Sequence, residues 1–222
     1  ATFDNIKIIT ARPNGDGISL QSCNNVTVEN SFVRTWDDSL VVKNYDVNSA
    51  DIRFNNIQVW TDLAQSMEIG YETNKGNKEN STIKRIHFEN ITVLHNFHKP
   101  VLSIHNADNA AISGIDYKNI VVEEATMGHG DGTQELIDIQ VCNSGNWSTT
   151  TDRGTISDVT IDGMKVLYGN DVIPSKIKGY DSEHLVDGVK IKGLKIKDKD
   201  IKSAEDGAFV IESKNTNNIT FE

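Results

Sequence analysis

Apolar and polar residues alternate along this chain in short runs that recur in one form. An apolar pair two residues apart is followed by Asn or Gly, and then by a second apolar pair. The form reads Val26-Thr27-Val28-Glu29-Asn30-Ser31-Phe32-Val33 and returns over Ile52–Val59, Ile86–Val93, Ile115–Val122, Val159–Val166 and Val189–Ile196. The starts lie at 26, 52, 86, 115, 159 and 189, giving steps of 26, 34, 29, 44 and 30 residues. Between the copies lie shorter apolar runs: Ile18–Leu20, Leu40–Val42, Met67–Ile69, Val101–Ile104, Leu136–Ile139 and Phe209–Ile211. A period of two predicts strands, and no stretch sustains the helical period. The Asn or Gly falls where the chain must turn sharply, often through positive φ. Each unit is too small to bury its own apolar face, so the units must stack. Three short strands per unit predict an all-β right-handed parallel β-helix, a solenoid of three-strand coils filling residues 1–222 as one domain. Asn-Gly and Asp-Gly hairpin signals are sparse, which argues against an antiparallel sandwich or a propeller. The strand pattern starts almost at Ala1, so further coils are expected upstream of this sequence. Longer insertions before Thr82, around His129–Gly132 and around Asn146-Trp147 are expected to emerge as loops beside a cleft.

Composition narrows the partners. Lys and Arg number 22 against 32 Asp and Glu, a formal charge of -10. Such a chain is a poor ligand for nucleic acid and would repel a polyanion. No apolar run approaches the ~20 residues of a membrane helix. Cys23 and Cys142 are far apart and lack metal-ligand spacing; two buried free thiols are expected. The Lys-rich stretch 190–202 alternates Lys with apolar residues, as a solvated outer strand face does. Sequons such as Asn25-Val26-Thr27 and Asn90-Ile91-Thr92 fall inside the repeat, where Asn supplies corners, and are read as structural.

The chemistry concentrates in three aspartates. Asp16, in Asn14-Gly15-Asp16-Gly17, precedes the strand Ile18–Leu20, and Asp37-Asp38 precede Leu40–Val42. The two strands hold the same place in successive coils. Stacked strands lie ~4.8 Å apart, so the acidic groups should sit one above the other. Clustered carboxylates repel, and repulsion raises the pKa of at least one. One protonated acid beside one ionised base is what glycoside hydrolysis needs. The same residues also suit ordinary turns.

Asn14-Gly15-Asp16-Gly17, followed by Gln21–Asn30 and then by Asp37-Asp38, resembles the catalytic stretch of β-helix polysaccharide hydrolases. Polygalacturonases are the nearest pattern; dextranases, isopullulanases and α-1,3-glucanases share the three-aspartate plan. The resemblance covers about residues 5–105 with clear motifs. It implies an inverting hydrolase without a cofactor, with Asp38 as acid and Asp16 and Asp37 activating water. Two departures bear on the substrate. Gln65 stands where polygalacturonases carry a histidine, and Ser103-Ile104-His105 stands where they carry Arg-Ile-Lys to grip a uronate. A neutral glucan is therefore expected rather than pectin.

Asn14, Trp36, Asp62, Gln65, Glu68, Tyr71 and His105 are the candidate substrate contacts, with Trp60 and Trp147 as further aromatics near the cleft. His95, His98 and His105 share one coil but lack tight ligand spacing, so no metal is expected. Gly128–Gly132 matches neither a phosphate loop nor a calcium loop in full and is read as a flexible loop. A secreted monomer of bacterial type acting on a polysaccharide or oligosaccharide is the leading expectation. The alternatives are a pectin hydrolase, a non-catalytic carbohydrate-binding β-helix segment and a lyase.

Overall fold

A computed structural model describes residues 1–126, 128 and 132–222. Residues His129–Asp131 of the glycine-rich loop lie outside the described residues. Among the described residues there is no helix, and nearly all strand pairs are parallel. The larger sheet runs through Asn24–Thr35, Ser49–Thr61, Thr82–His95, Ala111–Ala125 and Thr155–Gly169, and on to Val186–Lys192 and Thr216–Phe221. The smaller sheet stacks Ile18–Gln21, Leu40–Lys43, Met67–Tyr71, Leu102–Asn106, Ile137–Val141, Ser175–Lys178 and Phe209–Ile211 in strict sequence order. Each strand pairs with its counterpart one coil later, which makes the chain a right-handed parallel β-helix.

The repeat is explained by its central residue. Asn30, Asn56, Asn90 and Asn119 adopt φ of 51–55°, and Gly163 and Gly193 adopt 78° and 62°. Asn and Gly tolerate this left-handed conformation, which bends the strand. The bend also reverses the alternation: Val26 and Val28 point inward before Asn30, and Ser31 and Val33 after it. Hence the inward spacing of two, three and two residues in every copy. The bends are laddered by amides, from Asn56 Nδ2 to Asn30 Oδ1 (2.7 Å) and from Asn119 Nδ2 to Asn90 Oδ1 (2.7 Å). Asn90 thus serves the corner, in keeping with a structural role for its sequon.

Register then stacks like on like. Phe54, Phe88 and Tyr117 are fully buried and pair in register, with ring centroids 5.0 Å apart at each step. In the smaller sheet Leu20, Val42, Ile69, Ile104, Ile139 and Ile177 form the inward column. The outward column is Ser19, Val41, Glu68, Ser103, Asp138 and Lys176, and it forms the floor beside which the acidic turns sit. Lys190 and Lys192 are exposed, as a solvated strand face requires. One feature escapes the repeat: Leu194–Ile196 pairs antiparallel with Lys199–Ile201 near the C-terminal end. The cysteines are free but half-buried rather than buried.

Candidate active site

Asp16 and Asp37-Asp38 occupy the turns that feed the first two strands of the smaller sheet. Backbone bonds lock the turns together: Gly17 N–H donates to Asp38 O and Ile18 N–H to Ser39 O, both at 2.8 Å. Gly17 is needed for this approach, since a Cβ there would lie 2.5 Å from Ser39 O and from Val33 Cγ1. The three carboxylates each bring an oxygen within 4.8 Å of the other two. Asp37 accepts the N–H of Asn14 and of Asp38, each at 3.0 Å. Asp38 accepts the N–H of Gln65 at 2.9 Å.

The three differ in electrostatic setting. Asp38 is pushed well above the usual carboxylate range, first by burial, then by the negative charge of Glu68, against the Gln65 N–H and with help from Asp37 and Asp16. Asp16 is also raised by burial, but Lys43 Nζ, 3.6 Å away, pulls it back. Lys43 is shared with Glu72 at 3.3 Å. Among the described residues this trio is the sole cluster whose ligand atoms converge enough to hold a metal ion. Lys43 already supplies a positive charge to it.

Behind the turns runs a buried chain of hydroxyls and one amide. Thr35 Oγ1 meets Ser39 Oγ (2.6 Å), Ser39 Oγ meets Thr61 Oγ1 (2.8 Å) and Thr61 Oγ1 meets Ser66 Oγ (3.1 Å). Ser66 then donates to Asn96, whose Nδ2 donates to Lys99 O. Each member sits at one end of a turn between the larger and the smaller sheet, so the chain fixes the turns bearing Asp38, Gln65 and Lys99 relative to one another. Small polar side chains suit this place because buried backbone and hydroxyl groups must find partners.

The floor itself holds a second charged group. Glu68 is fully buried and accepts bonds from Ser103 Oγ and from His105 Nδ1, the latter at 2.9 Å. His105 Nε2 stands 3.3 Å from Asp138 Oδ2, and Tyr71 stacks flat on the imidazole at 4.3 Å. Burial works against a charged imidazole, but Glu68 and Asp138 outweigh it and push His105 up to about 10. His105 is therefore a buried cation between two carboxylates.

Above trio and floor opens a cleft of about 890 Å³ whose lining includes Asn14, Asp16, Asp37, Asp38, Gln65, Tyr71, His98, Lys99 and Trp147. A parallel β-helix with three convergent aspartates on its smaller sheet is the setting for one comparison: the profile of glycosyl hydrolases family 28 matches residues 1–208. The chain belongs to glycosyl hydrolases family 28. It is a glycosidase acting on polysaccharides. None of the curated proteins matches the chain significantly.

Within this family 28 hydrolase the expected site residues fall into three groups. Asp16, Asp37, Asp38, Asn14, Gln65 and Tyr71 share the cleft. Glu68 and His105 are corrected from contacts to foundations: they are 0% and 1% exposed and spend their polar atoms on each other. Asp62 and Trp36 are not in the cleft lining. Asp62 is held by Arg34 at 3.1 Å and by Trp60 Nε1 at 2.9 Å, with Arg34 stacked on the Trp60 ring. Trp36 faces outward beside the acidic turn. The histidines do not converge, since His95 pairs with Glu124 at 2.9 Å and His105 is buried. Sequence reasoning missed Lys99 and Glu72 as cleft residues; their coil positions, matching Gln65 and Lys43, were the available signal.

Proposed function

We propose that this enzyme hydrolyses its polysaccharide with inversion, Asp38 protonating the leaving oxygen while Asp16 and Asp37 activate water. The observation that carries the assignment is the asymmetry of the trio. Asp38 faces Glu68, Asp37 and Asp16 and has no ion-pair partner among the described residues, so it keeps its proton most readily. Asp16 faces Lys43 and is better suited to act as an anion. Retention is a second reading, favoured because oxygens of the three carboxylates all lie within 4.8 Å of one another, closer than the roughly 6.5–9.5 Å usual between the carboxyls of inverting enzymes.

We further propose a neutral glycan as substrate, cleaved outside the cell because a polymer must be shortened before uptake. Ser103 and His105 stand where polygalacturonases grip a uronate, and both are consumed by Glu68. Lys43 is neutralised by two carboxylates. Lys99 favours the pectin reading: it lines the cleft without an ion-pair partner among the described residues. The test is incubation with dextran, α-1,3-glucan, pullulan and polygalacturonate, with NMR of the first-formed anomer. Cleavage of one neutral glycan with inverted product is expected. Cleavage of polygalacturonate alone would overturn the substrate reading, and a retained anomer the water-activating roles. Asp38→Asn should abolish turnover with little change in melting temperature; near-normal turnover would refute the acid assignment.

A further inference from the structure

We propose that Trp147 is a sugar-stacking platform for a further unit of the polysaccharide chain bound in the cleft, held in place by the buried side chains Asp108 and Arg153. The proposal rests on the reading of the cleft as the hydrolytic site. Trp147 is 47% exposed, and among the described residues no ring packs on it. An indole left open in a polar cleft offers an apolar face to the C–H face of a pyranose.

The loop beneath it is firmly tied down. Asp108 Oδ1 accepts the N–H groups of Thr149 (2.7 Å) and Thr150 (2.8 Å) and the Thr150 hydroxyl (2.9 Å). Arg153 donates to Ala107 O, Thr150 O and Ser148 Oγ, and Ser148 in turn donates to Ala107 O. Asp108 and Arg153 are 0% and 5% exposed. Gly154 closes the loop against the preceding coil, where a Cβ would lie 1.8 Å from Ala110 O. Burying two charged side chains is costly unless each is fully bonded. Asp108 Oδ2 has no hydrogen-bond partner among the described residues, so the burial is only partly offset; what the two side chains do is preorganise a short loop that presents an aromatic surface, which lowers the ordering cost of binding.

The position sets the role. The loop follows the strand Ile137–Val141, three rungs beyond the Leu40–Lys43 strand that Asp38 precedes. At ~4.8 Å per rung that strand lies about 14 Å along the helix axis from the Leu40–Lys43 strand, and the loop leans back over the intervening coils, with Thr149 Oγ1 donating to Lys75 O at 3.3 Å, so that Trp147 and the aspartates line one cleft. The ligand class is thus a pyranose chain long enough to reach both, and stacking on the ring face tolerates neutral and uronic units alike.

The test uses the whole chain. Wild type, Trp147→Ala, Trp147→Phe and Asp108→Asn are run in native gels cast with each of the four polysaccharides. They are also assayed on whichever polymer is cut and on its shortest cleavable oligosaccharide. Trp147→Ala should abolish retardation and lower kcat/KM on the polymer about tenfold relative to the short substrate, about 1.4 kcal/mol. Trp147→Phe should restore most of both, and Asp108→Asn should fall between. Retardation unchanged in Trp147→Ala, equal losses on long and short substrates, or no retardation of wild type in any gel would overturn the proposal. If Asp38→Asn stayed active while Trp147→Ala lost retardation, the acid assignment would fall and the platform would stand.

Discussion

Replacing His105 by glutamine removes the cation between two buried carboxylates while keeping roughly its length. Glu68 Oε1 lies 2.9 Å from Nδ1 and Asp138 Oδ2 lies 3.3 Å from Nε2. In the folded protein the imidazole is pushed up to about 10. An unfolded chain returns it to ~6.5, and at ~1.4 kcal/mol per pKa unit the difference is about 5 kcal/mol. Because the folded value is the higher one, this stabilisation is complete below pH ~6.5 and is lost as pH rises towards about 10. Taking one partner from a buried pair costs ~3–5 kcal/mol by a separate line of reasoning, so the two magnitudes agree. The assay is urea unfolding of wild type and His105→Gln at about pH 6, 8 and 10. Near pH 6 the variant should be less stable by about 3–5 kcal/mol, and the gap should shrink by about 2 kcal/mol at pH 8 and nearly close at pH 10. A gap that stays constant across this range would show that His105 is not a cation in the fold.

Three further outcomes follow from the same geometry. Glu68→Gln removes the negative charge that helps Asp38 keep its proton, so the alkaline limb of the kcat/KM profile should move to lower pH; a limb that stays in place would refute the coupling. Phe88→Ala opens a cavity in the middle of the Phe54–Phe88–Tyr117 stack and should cost ~3–5 kcal/mol in urea unfolding, with the other two rings too constrained to fill it. Arg34→Ala breaks an ion pair whose side chains are 45% and 21% exposed, so thermal melts should register no more than ~1 kcal/mol, and activity should persist because Asp62 is not in the cleft lining.

The fold was legible because one physical constraint repeats. A left-handed Asn or Gly between two apolar pairs reverses the alternation, and that signature is visible as spacing alone. The acidic trio was legible for the same reason: residues one coil apart stack, so Asp16 and Asp37-Asp38 had to meet. The strand Ser175–Lys178 was not legible, since Ser-Lys-Ile-Lys contains one apolar residue and carries no pattern. Asp62 has nearly the coil offset that brings Asp37 to the cleft, but Arg34 lies one strand away in register with Trp60 and draws it outward. Glu68 and His105, expected as substrate contacts, do lie on the outer face of the smaller sheet by alternation along their strands. Alternation could not show that this face is covered, because the covering depends on the paths of loops, which have no period. Trp147 escaped firm placement on the same ground, being set by Asp108 and Arg153 rather than by the repeat.

The floor residues Glu68, Ser103, His105 and Asp138 act as one unit. A lone histidine at position 105, buried and unpaired, would lose its proton and leave Ser103 short of an acceptor. Glu68 supplies an acceptor to both residues, and Asp138 from the next strand balances the second face of the imidazole. The result is a floor in which Glu68, Ser103 and His105 bond to one another beneath Tyr71, while Asp138 Oδ1 finds no hydrogen-bond partner among the described residues. Its one outward effect is electrostatic: the Glu68 carboxylate reaches Asp38 and favours the protonated form. The engagement of Ser103 and His105 and the better-protonated acid are thus consequences of the same buried carboxylate. The neutral substrate proposed above would suit both consequences, since it needs no cation in the floor and brings no charge of its own to hold the proton on Asp38.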